Sequence, residues 1–323
     1  MPNTLQEHLV NYLTDAYSIE QQALAQLRTA PDIAGHPTLS QHFREHLVET
    51  EGQAEQVRER LEALGGSPKR VKDLIMKLGG KGFLLFARSQ PDTPGKLTAH
   101  AHSYEALEWA SYEMLIRMAR RAGDPETERV ASVIRDQERS MMERLAGDFD
   151  AAVEASLAAL DEAPGDTLGS YLADAHALEV QSIQLLEKGP DLAGDAQLAR
   201  IYADHLEESR RQARWVEERL DSLGASTSSL KDRALQAGAL NWGLFFQAQQ
   251  DTPGKLAAFA YAVEHLEIAG YELLQRVARR AGDQATVELT ERILREERAM
   301  ADRVAGAFDG AFEASLAAQG VAG

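Results

Sequence analysis

Shifting the chain by 159 positions lays it over itself without a gap, and this self-similarity constrains the fold more than any other feature. Asp92-Thr93-Pro94-Gly95-Lys96-Leu97 falls on Asp251-Thr252-Pro253-Gly254-Lys255-Leu256, and Arg120-Arg121-Ala122-Gly123-Asp124 on Arg279-Arg280-Ala281-Gly282-Asp283. Roughly 70 of about 150 aligned positions are identical, over a period far longer than that of a solenoid repeat. The chain therefore reads as a duplicated domain, residues 1–162 and 163–323. The small and acidic stretch Asp161-Glu162-Ala163-Pro164-Gly165-Asp166 serves as the linker.

Within each copy, apolar residues recur at spacings of three and four, and Ala, Leu, Glu, Arg and Gln outnumber β-branched and aromatic residues. That pattern predicts an all-α fold of four long helices per copy. In the first copy they span about Thr4–Leu27, Leu39–Leu64, Thr93–Ala122 and a fourth from Asp124-Pro125-Glu126 toward Leu160. Thr93 is the expected N-cap of the third helix, with Pro94 at the first helical position, where its missing N–H costs nothing. Between helices two and three lies a long connection, Ser67–Gln90. It is expected to contain a short helix at Lys69–Leu78 and the apolar run Phe83-Leu84-Leu85-Phe86.

The chemistry concentrates on the third helix. A helix turns every ~3.6 residues, so Leu97, Ala101, Glu105, Glu108, Tyr112, Leu115 and Ala119 share one stripe. Two glutamates interrupt an otherwise apolar face. Burying unpaired carboxylates costs several kcal/mol each, so such groups are solvated, protonated, matched by cations or bound to metal. The other helices add Glu20, His46 with Glu49 one turn on, and Glu138; the second copy repeats the set as Glu179, His205, Glu208, Glu264, Glu267 and Glu297.

Net charge narrows the partners. At −17, with 51 acidic and 34 basic residues, the chain repels nucleic-acid backbones and anionic membrane surfaces and attracts cations. The absence of cysteine excludes disulfides, thiolate zinc sites, iron–sulfur clusters and a cysteine nucleophile. No run approaches the ~18 apolar residues of a membrane span, and the N-terminus lacks a basic segment followed by an apolar one, so a soluble cytoplasmic protein is expected. Carboxylates with one or two imidazoles, drawn from facing helices of a bundle, suit iron or manganese, and a pair of such ions carries two-electron chemistry with oxygen or peroxide.

Tyr12-Leu13-Thr14-Asp15-Ala16-Tyr17-Ser18-Ile19-Glu20, His46-Leu47-Val48-Glu49-Thr50-Glu51-Gly52-Gln53, Glu105-Ala106-Leu107-Glu108 with Tyr112, and Glu138 resemble the ferritin-like YciE/YciF stress proteins. Glu264-His265-Leu266-Glu267 with Tyr271 is the closer match on helix three of the second copy. The resemblance covers nearly the whole chain, once per copy. It implies two tandem ferritin-like four-helix bundles and a dimetal centre in each: two iron ions per repeat, with manganese as the alternative metal. Two departures from the wider ferritin-like Glu-x-x-His pattern stand out. Helix two reads His46-x-x-Glu49, the reverse order, and Met141 and Met300 follow Glu138 and Glu297 three residues on.

The expected function is a stress-related protein that binds metal ions and reacts with O2 or peroxide, oxidising iron(II) or consuming peroxide. The two copies are expected to pair as an intrachain pseudo-dimer. The rival readings are a metal-free structural or interaction protein, its carboxylates neutralised by Arg117, Arg120 or Arg144, and passive metal binding without turnover. His8, His36, His42, His100, His102, His176 and His265 are not mirrored between copies and read as surface or local residues.

Overall fold

A computed structural model of the chain describes residues 4–68, 93–160, 163–224 and 251–321. Every regular element among them is α-helical. The chain divides into two compact units, Met1–Leu160 and Asp161–Gly323. The expected helix Lys69–Leu78 and the Phe83–Phe86 run lie outside the described residues.

In the first unit the helices are α1 (Leu5–Leu27), α2 (Ala30–Ile33), α3 (Pro37–Ala63), α4 (Thr93–Ala122), α5 (Pro125–Gly147) and α6 (Phe149–Leu160). The second unit repeats them as α7 (Pro164–Leu186), α8 (Gly189–Leu192), α9 (Ala196–Ser222), α10 (Thr252–Ala281), α11 (Gln284–Gly306) and α12 (Phe308–Ala318). Four long helices close a ring in each unit. α1 packs against α3 and α4, and α5 packs against the same two; α7, α9, α10 and α11 repeat that arrangement. Thus α3 and α4 stand on a diagonal, which a tight turn cannot span, and the chain between them is correspondingly long. The stripes buried inside the ring are those the apolar period marks, including Leu9, Leu13, Leu39, Phe43, Val57, Leu61, Leu115, Ile134 and Leu145.

Local chemistry sets the helix ends. Thr4 and Glu7 form a reciprocal capping box at the start of α1. Asp124 accepts a hydrogen bond from the Thr127 backbone N–H at 2.9 Å and from Arg60 at 2.8 Å, tying the end of α3 to the start of α5. Asp283, Thr286 and Arg219 repeat the device. Ser156 of α6 caps α4 from outside by accepting from the Gly95 N–H at 2.8 Å, and Ser315 does the same for Gly254 at 2.7 Å. Gly35 and Gly194 adopt positive φ of 67° and 62°, and a Cβ at either would meet Pro94 or Pro253 at 2.8 or 2.9 Å. Only glycine satisfies both conditions.

Three expectations about helix ends need correction. The fourth helix of each copy does not run through: it breaks at Asp148 and at Ala307. At Asp148 the carboxylate turns to His42 Nδ1 at 2.5 Å. Thr93 lies inside α4, and in the second copy the capping position is Asp251, one residue before Thr252. Finally, α7 begins at Pro164, within the stretch read as linker, because proline fits the first helical turn.

Candidate metal centre

The ring geometry turns five of the six polar positions of each copy into one buried cluster. Glu20 comes from α1, His46 from α3, Glu105 and Glu108 from successive turns of α4, and Glu138 from α5, all essentially inaccessible to water. Glu179, His205, Glu264, Glu267 and Glu297 occupy the same places in the second unit. His46 Nε2 lies 3.1 Å from Glu105 Oε1 and 3.0 Å from Oε2, so the imidazole joins α3 to α4 across the bundle interior. His205 Nε2 lies 3.2 Å from Glu264 Oε2 and 3.7 Å from Glu297 Oε2, yet makes no hydrogen bond.

Glu49 and Glu208 sit differently. Their side chains keep 30% and 24% of their exposure, outside the cluster, and face the far nitrogen of the imidazole: 3.5 Å from His46 Nδ1 and 3.0 Å from His205 Nδ1. The reversed His-x-x-Glu order has this consequence: the carboxylate one turn on lies behind the ring and orients it, leaving Nε2 aimed inward. Carboxylates in that position commonly fix a metal-binding histidine from its outer side.

Many of the inward oxygens have no partner. Both carboxylate oxygens of Glu108, Glu138 and Glu267 are buried without a hydrogen bond, as are one each of Glu20, Glu105, Glu179, Glu264 and Glu297. Buried polar atoms are normally paired, so a concentration of orphans marks a place that wants an electropositive occupant. Groups offering one donor atom each within 4.8 Å of one another are His46, Glu105 and Glu138 in the first unit, and His205, Glu264, Glu267 and Glu297 in the second.

Electrostatics agree with that geometry. Burial pushes Glu20 up to about 8, against a hydrogen bond from Tyr112 and the nearby His46, which favour its ionised form. Glu179 is likewise pushed up to about 8, with Tyr271 donating. Burial, then repulsion from the neighbouring carboxylates, holds Glu108, Glu138, Glu267 and Glu297 well above the usual range. Burial alone would lower His46, but adjacent Glu105 outweighs it and the imidazole is raised to about 10. Protons thus occupy the metal-free cluster, where cations would displace them.

Of the arginines proposed as neutralising partners, Arg117 and Arg120 pair outside the cluster, while Arg144 lies near enough to Glu49 to help lower it. Arg117 pairs with Glu113 at 2.5 Å, Arg120 with Glu128 at 2.7 Å, and Arg144 with Glu45 at 3.5 Å. Of the unmirrored histidines, His8 and His102 are buried rather than at the surface, His102 donating from Nδ1 to Met142 O at 3.1 Å. Met141 and Met300 are fully buried.

Two residues escaped the sequence reading of the site, Gln53 and Gln212. Both are buried two turns beyond the histidine, and Gln212 Nε2 donates to Glu297 Oε1 at 2.5 Å. Their sequence signal was an amide on the core stripe, retained in both copies.

Among the described residues no helix is long and apolar enough to cross a membrane. A family model described as a domain of unknown function, DUF892, matches residues 4–158 and again 164–317. Protein YciF of Escherichia coli (strain K12) is 31% identical over 143 residues, which cover 42% of this chain and 83% of that protein. No solved structure shows a significant match. With both copies matched over nearly their whole length, the chain belongs to the DUF892 family, as a tandem duplication of its domain.

Proposed function

We propose that each repeat is a ferritin-like, non-haem dimetal centre of the iron or manganese class, serving a stress-related role in which iron(II) is oxidised or peroxide consumed. The observation that carries this reading is the set of buried, unpartnered glutamate oxygens around one imidazole, present in both repeats. Charge supports it: Glu20, Glu105, Glu108 and Glu138 carry four negative charges when ionised, which two divalent cations balance. In the first repeat these four and His46 would hold the ions; in the second, Glu179, Glu264, Glu267, Glu297 and His205.

A bound metal pair supplies two-electron exchange with oxygen or peroxide. The protein's own contributions follow from its contacts. Glu49 and Glu208 orient the imidazoles through Nδ1, and Tyr112 and Tyr271 donate to Glu20 and Glu179, fixing those carboxylates. The apolar stripes above and below exclude bulk water, so charge interactions inside are weakly screened.

Iron analysis after anaerobic reconstitution tests the reading. About four iron ions per chain are expected at saturation, and fewer than about one defeats it. A chelator must also lower the melting temperature, because an ion that binds only the folded state stabilises it. A melting temperature indifferent to both chelator and added metal supports the metal-free structural reading instead.

A further inference from the structure

The two repeats differ in what stands between their clusters and the outside. In the first, a cavity of about 20 Å³ is lined by Glu105 of the cluster together with Gln26, His100 and Tyr104, with Ala23 and Phe43 among its walls. That volume holds a single molecule of water size. Its rim is half-buried, its floor buried. The rim is polar and organised: His100 Nε2 and Gln26 Oε1 lie 2.9 Å apart, and the Tyr104 hydroxyl donates to Ile19 O at 3.1 Å. Burial lowers His100 to about 4, so its ring is neutral at pH 7.

The second repeat inverts this distribution. The residues aligned with Gln26, His100 and Tyr104 are Leu185, Phe259 and Val263, all apolar. The residues aligned with the apolar walls Ala23 and Phe43 are Ser182 and Tyr202, both with buried hydroxyls. At these five positions the first repeat is polar where the lining is half-buried and apolar where it is buried, and the second repeat carries the reverse residue types.

We propose that the cavity is an inlet to the first repeat's cluster for a neutral polar molecule the size of water or hydrogen peroxide, admitted past the His100–Gln26 hydrogen bond, and that the second repeat lacks it. An uncharged rim suits such a molecule better than a cation, which would be drawn by carboxylates at the mouth. The proposal deepens the dimetal reading of the first repeat by assigning its access and the size and polarity of what enters.

The test uses the full-length, metal-free protein labelled with nitrogen-15 at histidine, reading solvent exchange of the imidazole Nε2 protons that face Glu105 and Glu264. The His46 proton is expected to exchange on the order of tenfold faster than that of His205, since local access sets exchange where global stability is shared. His100→Phe and Gln26→Leu, which install residues already found at the aligned positions, should each slow His46 toward the His205 rate. The reciprocal Phe259→His should speed His205. Equal rates in the unaltered protein, or a His46 rate indifferent to both rim substitutions, overturns the inlet. Failure of iron reconstitution with the exchange difference intact defeats the metal reading and leaves the inlet standing.

Discussion

The two repeats share a buried cluster but support it differently. In the second, Glu208 is held by His205 at 3.0 Å and by Arg303 at 2.6 Å, and Gln212 reaches Glu297 at 2.5 Å. In the first, His46 lies 3.5 Å from Glu49, Arg144 turns to Glu45 at 3.5 Å, and Gln53 reaches Gln137 at 3.4 Å rather than Glu138. The second cluster brings four donors together where the first brings three. Identical supporting residues therefore make different contacts in the two repeats. The second repeat is the better organised for holding ions, because prepositioned ligands lose less freedom on binding, and the first is the better organised for access.

The largest effect should come from the innermost carboxylates. Glu108→Leu or Glu267→Leu should each lower metal affinity in its own repeat on the order of a hundredfold or more, reducing iron capacity from about four ions per chain to about two. The same substitutions should stabilise the metal-free protein by roughly 1–3 kcal/mol, since each removes two buried, unpartnered oxygens. Denaturant unfolding and metal analysis read both effects. If a substitution in one repeat empties the other, the repeats are not independent sites.

Next in size is the dependence on pH. Glu20 and Glu179, raised in the folded state to about 8 from an ordinary 4.5, bind a proton more readily folded than unfolded. Their effect is a loss of stability as pH rises above about 4.5, complete beyond about 8. His46, raised to about 10, contributes stability that is present below its ordinary 6.5 and fades as pH climbs, which acts in the same direction. The metal-free melting temperature should therefore fall between pH 5 and 8, and saturating manganese should remove most of that fall. On the acid side Glu208, lowered to about 2 by His205, contributes stability that is lost as pH falls from 4.5 through about 2. A melting temperature that rises toward pH 8 without metal would contradict the buried cluster.

The smallest effect separates the supports. Glu208→Gln should weaken metal binding in the second repeat by about tenfold, and Glu49→Gln in the first by less, because Glu49 sits farther from its imidazole and Arg144, the counterpart of Arg303, pairs with Glu45. Were Glu49 a ligand rather than a positioning residue, Glu49→Ala would cost as much as Glu105→Ala, and a titration of the two variants decides it.

How far the sequence could be read depends on the range of the interaction. The gapless repeat, the four long helices per copy and the inward placement of Glu105 and Glu108 follow from local periodicity. Each helix hides the stripe that its own sequence makes apolar. The break at Asp148 was not legible, because the second copy breaks at the aligned Ala307 with neither the aspartate nor the histidine, so no residue type at that position signals it. Nor was the outward position of Glu49, since His46 and Glu49 lie within one helical turn and the stripe alone does not say which of them points at the neighbouring helix.

By itself, then, the sequence determined a duplicated all-α chain with two carboxylate-rich core stripes, because helical period and burial are properties of one segment at a time. The tertiary structure decided what those stripes meet. The rotation and offset of α3 against α4 set His46 Nε2 on Glu105 and leave Glu49 behind the ring, and the packing of α1 against α4 brings Gln26 to His100. Such distances depend on how separate helices seat against one another, and no stripe read along a single helix specifies them.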